Sequence, residues 1–222
     1  MTLENVMLEG TLMEYFPVCC TTNMPVKDIN RFLAEAQRQD LDVGFDNNLT
    51  LVHSLDVQLV GPTKELRGND ETLQSPFNGC TFLEIHQKLK DMVAATNSSL
   101  NTEWFLVLDE ESAQTSTAVI VSIEDDGDVQ SVRAEYTECS TCISAASVSH
   151  PSLDEMIEIA NEYGDGVIRI EKCTLDIRFS TVEVDGRNDS FTWRKRSMIV
   201  PQLIPRKATA KLSREPSEPS ES

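Results

Sequence analysis

Basic side chains, glycine, histidine and long apolar runs are all scarce in this sequence, and each shortage excludes something. Nineteen Lys and Arg stand against 37 Asp and Glu in 222 residues, a net charge of −18. A body this negative repels phosphate backbones and anionic lipid, so neither nucleic acid nor membrane is an expected partner. Its long-range attraction is to basic groups, and the expected partner is a protein, basic in character. Nine glycines, none adjacent to another, leave no glycine-rich loop to cradle a phosphate. The three histidines, His53, His86 and His150, lie in no nucleophile-elbow or protease-like context. No run approaches the roughly 18 apolar residues of a membrane span. The stretch from Met1 to Glu9 has no basic region and is interrupted by glutamates, unlike a secretory signal. The expected location is therefore the cytoplasm or the nucleus. There the cysteines (Cys19, Cys20, Cys80, Cys139, Cys142 and Cys173) stay reduced, and the sequons at Asn48, Asn97 and Asn188 go unused.

What is present is enough for a core. Apolar residues make up 40% and charged residues 25%, close to the globular average, and the length fits one domain. Residues 12–20 read equally as a strand or a short buried segment. Ile29, Phe32, Leu33 and Ala36 fall at i, i+3, i+4 and i+7 and predict a helix from Asp28 to about Asp40. Residues 41–62 alternate and read as extended up to Gly61-Pro62, with a polar loop from Thr63 to Pro76. Thr81 and Glu84 form a capping box for a second helix, striped by Phe82, Ile85, Leu89, Met92 and Val93. Trp104–Leu108 is a short apolar run suited to a strand covered on both faces. Thr117–Ile123, the Asp126-Gly127 turn and a return strand through Val132 and Ala134 predict a hairpin. Residues 137–151, rich in serine and cysteine, read as a loop. Ser152 and Glu155 cap a third helix, which Gly164 ends. A short strand at 167–170 and a second hairpin, Leu175–Phe179 with Phe191–Trp193, complete the folded part.

The predicted class is α+β, with three main helices packed on a mixed, mostly antiparallel sheet. Residues 1–204 form the single domain. From 205 to 222 proline, serine, lysine and glutamate dominate, and disorder is expected. Residues 1–189 carry 12 basic and 34 acidic side chains, whereas residues 190–222 carry 7 and 3. In this basic tail Arg194-Lys195-Arg196 and Arg206-Lys207 approximate a bipartite nuclear address. Ser197, Thr209 and Ser213 beside them are places where a phosphate would cancel positive charge.

Three groups of residues bear on chemistry. Asp109-Glu110-Glu111 follows a buried strand, where carboxylates hold a divalent ion or act as acid and base, with His86 as a third candidate. Glu124 to Asp128 lies at the opposite end of the hairpin strand, which argues against a shared site. Cys139-x-x-Cys142 reads as two thiols in a loop, as a redox dithiol, or as half of a zinc site with His150 and Cys173 as the nearest further ligands, at a spacing that matches no familiar module. Cys19 and Cys20 are adjacent, point to opposite faces of a strand, and do not easily share one metal.

Two segments carry a resemblance: Trp104–Ala113 followed by Thr117–Ile123, and Ser152–Ala160 followed by Asp165–Arg169. Together they resemble a family of small cytosolic domains of unknown function found in fungi and bacteria. The resemblance covers residues 104–170, implies a fold unit and supplies no catalytic residues. Two functions follow as expectations. One is a non-catalytic intracellular protein-interaction module without a cofactor. The alternative is a divalent-metal-dependent hydrolase or transferase using carboxylates near Asp109.

Overall fold

The structure is a computed structural model that describes residues 15–42, 47–68, 71–124, 126–148, 151–162 and 164–169. Its centre is a six-stranded sheet in the order β3-β1-β5-β6-β7-β8. β1 (Phe16–Cys20) is flanked in parallel by β3 (Leu49–Leu51) and β5 (Trp104–Leu108). β6 (Thr117–Ile123) is antiparallel to both β5 and β7 (Val129–Glu135), and β8 (Val167–Ile168) returns parallel to β7. A two-stranded antiparallel ladder, β2 (Met24–Pro25) with β4 (Thr72–Leu73), sits apart. The antiparallel ladders of the large sheet hold four and seven register pairs, against three, three and two in the parallel joints. The sheet is thus mixed and mostly antiparallel by paired residues, with parallel joints on both flanks. Of residues 12–20, Phe16–Cys20 form the strand β1, buried along its whole length, and residues 12–14 lie outside the described residues.

Among the described residues five helices surround the sheet, where three main ones were expected. α1 (Val26–Asp42), α2 (Phe82–Thr96) and α5 (Leu153–Glu162) lie where periodicity and caps place them. In α2 the Thr81 hydroxyl accepts from the Glu84 N–H while the Glu84 carboxylate accepts from the Thr81 N–H. Asn97, at φ 55°, closes α2 by donating its N–H to Val93 O. Ser152 and Glu155 make the same reciprocal cap on α5. α3 (Ser112–Thr115) is a single turn, and α4 (Tyr136–Ser147) replaces the loop expected over residues 137–151. Serine, threonine and cysteine are indifferent helix formers, so composition pointed the wrong way. Packing decides: Tyr136, Cys139, Ile143 and Ala146 form one buried stripe, and small residues between them let α4 lie close to α1. Residues 52–62, expected to be extended, leave the sheet after β3. The Asp56 N–H donates to Ser54 Oγ, turning the chain, and Leu59 pairs with Ser98 and Ser99 beyond α2.

The sheet separates two cores. α1, α4 and α5 cover one face over Val18, Cys20, Leu106, Leu108, Ile120, Val132 and Ala134. α2 and Phe77 cover the other over Cys19, Phe105, Val107, Val119 and Val121. Adjacent Cys19 and Cys20 therefore do point to opposite faces. Fully buried side chains such as Phe32, Leu106 and Leu89 each contribute about 1.5–3 kcal/mol by leaving water. No helix among the described residues is long and apolar enough to cross a membrane. The expected second hairpin, the tail from 205 and its basic clusters lie outside the described residues.

Candidate functional site

Parallel strands flanked by helices on opposite faces create a crevice outside their carboxyl ends, where open α/β sheets usually take ligands. Here β1 and β5 meet at that point, with α1 over one face and α2 over the other. The chain fills the crevice itself. Ser75 Oγ donates to Cys20 O, the Gly79 N–H donates to Thr21 O at 2.9 Å, and the Ser75 N–H donates to Asn23 Oδ1 at 3.3 Å. Phe77, between them in sequence, is fully buried. The polar groups that would greet a ligand are thus engaged by the loop 75–79.

Asp109 opens this end of β5. Its Oδ1 accepts the Ser112 N–H at 3.0 Å and the Ser112 hydroxyl at 2.8 Å, while its own N–H donates to Ser112 Oγ at 3.0 Å. Arg133, reaching across from β7, donates through Nη2 to Oδ2 and through Nη1 to Oδ1 at 3.3 Å. The same guanidinium donates to Thr117 Oγ1 at 3.0 Å and approaches Glu111 at 3.5 Å. Partial burial alone would raise the Asp109 carboxyl. The Arg133 and Ser112 hydrogen bonds outweigh it and hold the group below its usual range.

The turn after Asp109 is held from the other side as well. The Tyr136 hydroxyl donates to Ser112 O at 2.7 Å, and Arg31 Nη2 donates to Ala113 O at 2.7 Å. Tyr136 packs edge-on against Phe32 with centroids 5.0 Å apart, and the Arg31 guanidinium stands 5.7 Å from its ring centroid. Burial pushes the Tyr136 phenol up to about 12, against the opposing pull of Arg31. Asp109 is therefore the cap and counter-charge of a turn gripped by β7, α1 and α4. The reciprocal Asp109/Ser112 bonding closes the turn between β5 and α3, and no capping-box spacing announces it in the sequence.

The other candidate residues do not converge on Asp109. Glu110 and Glu111 are exposed. His86 is half-buried on α2; burial, and then Lys90, lower its pKa against the pull of Glu103, which precedes the opposite end of β5. The antiparallel pairing of β5 with β6 puts Glu124, Asp126 and Asp128 at that far end too. An open concavity of about 340 Å³ beside β7 and α5 is lined by Phe82, Val119 and Ile157, and its charged groups are the mutually paired Asp109 and Arg133.

Cys139 and Cys142 share a buried face of α4. Burial pushes the Cys142 thiol up to about 12 and Cys139 well above its usual value. Cys139 Sγ lies 3.2 Å from Glu135 O and 3.7 Å from Ala134 O, donating its proton to backbone carbonyls. A metal or a disulfide partner needs a thiolate, which this setting disfavours. His150 and Cys173 lie outside the described residues. Among the described residues no three His, Cys, Asp or Glu side chains are grouped to hold a metal ion.

One contact had no sequence signal. Lys88, two turns into α2, folds back so that Nζ donates to Pro76 O at 2.9 Å and to Cys80 Sγ at 3.2 Å. No protein-family model matches this chain, and comparison with curated proteins finds no similar sequence.

Proposed function

We propose that this chain is a non-catalytic protein-interaction module that presents a carboxylate-rich surface to a basic protein partner. The observation that carries the reading is how the carboxylates divide. Asp109 is half-buried and Glu138 buried, and Asp109 is committed to the fold. Asp154, Glu155, Glu158 and Glu162 stand exposed on α5, a helix with no Lys or Arg. Glu124, Asp126 and Asp128 are exposed on the β6–β7 turn. A surface of one sign speeds encounter with an oppositely charged partner and weakens as salt rises.

The test is charge reversal at matched dose. Asp154→Lys/Glu158→Lys removes acidity from α5, and Glu65→Lys/Asp91→Lys removes the same charge elsewhere on the surface. A specific partner binds the wild type and the second variant and loses the first, with an affinity that falls as salt rises. Equal binding by all three proteins sinks the proposal.

A further inference from the structure

Among the asparagines of the sequence, Asn78 alone is followed by glycine. It stands exposed in the loop 75–79 that fills the crevice beyond β1 and β5. Two overlapping turns shape the loop there. The Asn78 N–H donates to Ser75 O at 3.3 Å, and the Cys80 N–H donates to Phe77 O at 2.9 Å. Gly79 takes φ +72°, a conformation cheap only for glycine, and no atom stands within 4 Å of where its Cβ would lie. The Gly79 nitrogen is nevertheless restrained, because its N–H donates to Thr21 O at 2.9 Å. The rest of the loop is held down beside it. Ser75 Oγ donates to Cys20 O, Lys88 Nζ donates to Pro76 O at 2.9 Å, and Phe77 is fully buried.

We propose that Asn78 is a modification site at which the chain converts its own asparagine to isoaspartate and aspartate when the loop 75–79 lifts off the crevice. The Gly79 nitrogen gives up its proton and attacks Asn78 Cγ. The new N–Cγ bond closes a cyclic imide, the Cγ–Nδ2 bond breaks, and Nδ2 takes that proton and leaves as ammonia. Water then adds to one of the two imide carbonyls. Opening at the main-chain carbonyl gives isoaspartate, and opening at Cγ gives aspartate. Water is consumed, ammonia is released, and nothing is oxidised or reduced. Glycine suits the attack because no side chain crowds its nitrogen. The native loop blocks it, because Thr21 O engages the Gly79 N–H and the two turns fix the backbone around it. The reaction therefore follows the small population in which the loop is open. Its product adds a carboxylate to a chain already at −18. In the isoaspartate form the backbone is one methylene longer between the two turns, so the loop no longer returns to Thr21 in register.

The experiment keeps the full-length protein in mildly alkaline buffer and follows the peptide carrying Asn78 by mass, with fragmentation telling isoaspartate from aspartate. A parallel sample in urea gives the rate of the unfolded chain. Asn78 should convert before any other described asparagine, and in the native protein at least about tenfold more slowly than in urea. Ser75→Ala releases Cys20 O and Lys88→Met releases Pro76 O, and neither alters Asn78 or Gly79. Each should quicken the native rate about fivefold, and hydrogen exchange at the Gly79 amide should quicken by the same factor. If either variant unfolds, its rate meets the urea rate, and the wild-type comparison and the other variant decide. A native protein that converts as fast as the unfolded chain overturns the proposal. So does earlier conversion of another described asparagine, or a folded variant that keeps the wild-type rate while its Gly79 amide exchanges faster.

Discussion

Asp109→Ala removes one carboxylate on which a turn, a hydroxyl and a guanidinium all depend. Loss of the cap that the carboxylate gives the Ser112 N–H costs about 1 kcal/mol. The Arg133 pair, with side chains 18% and 28% exposed, adds about 0.5–1 kcal/mol after solvent screening. Leaving the guanidinium partly buried beside an empty position adds about 1 kcal/mol. The expected loss is about 2–3 kcal/mol, a fall in Tm of about 5–10 °C for a chain of this length. Urea unfolding of Asp109→Ala, Arg133→Met and the double variant measures it, and the cycle should return a coupling of at least about 0.5 kcal/mol. Glu110→Ala, one residue on and exposed, should stay within about 0.5 kcal/mol of wild type. The acid dependence has a definite sign. The folded Asp109 carboxyl is held below its unfolded value, so its contribution is fully present above about pH 4 and fades as pH falls through the lower, folded value. The gap between wild type and Asp109→Asn should therefore be constant near neutrality and close in acid. An Asp109→Ala protein as stable as Glu110→Ala, or a cycle without coupling, would refute the structural role given to Asp109.

Tyr136→Phe keeps the ring against Phe32 but strips the donor from Ser112 O, and thermal unfolding should show a loss of about 1–2 kcal/mol. Ser116 holds φ 56° where α3 ends, so Ser116→Gly should relieve backbone strain and gain about 0.5–1 kcal/mol in the same assay. Native mass spectrometry of the untagged protein should give the bare mass of 24.8 kDa or a multiple of it, unchanged by chelator. A metal at unit stoichiometry would revive the readings built on Asp109 or on Cys139 and Cys142.

The elements that were legible in the sequence carry their own local evidence. α2 and α5 announce themselves through capping boxes and apolar stripes, and the β6–β7 hairpin through Asp126-Gly127, where Gly127 adopts φ +87°. α4 has no comparable signal, because its helical state rests on close contact with α1, more than a hundred residues earlier in the chain. Asn48 shows the same dependence. Its amide donates to Ser144 Oγ at 2.7 Å and its carbonyl accepts from Ser140 Oγ at 3.1 Å, joining the approach to β3 to α4. Both groups of its sequon amide are thereby occupied. The parallel joints of β1 were equally hidden. Parallel neighbours need no tight turn between them, and nothing near Phe16–Cys20 marks Leu49 or Leu106 as its partner.

The same reasoning explains why the acidic triplet misled. Whether a carboxylate after a buried strand is a catalyst or a cap depends on what faces it, and Arg133 faces Asp109 only because β6 joins β5 to β7 in one register. Val107 lies opposite Val119, and Val119 lies opposite Arg133, which aligns the guanidinium with the last turn of β5. A slip of one residue would send Arg133 to the α1 side of the sheet and leave Asp109 uncompensated. The hydrophobic alternation of β6 and β7 fixes that register, so the apolar pattern determines the chemistry of Asp109 as surely as its own side chain does. Cys80 makes the complementary case. Its cation lies eight positions further along the chain, a separation with no helical meaning here, and the two meet because the Pro76–Cys80 loop doubles back along the opening turns of α2. Residue type names the groups able to react, and the path of the backbone decides which of them meet a partner.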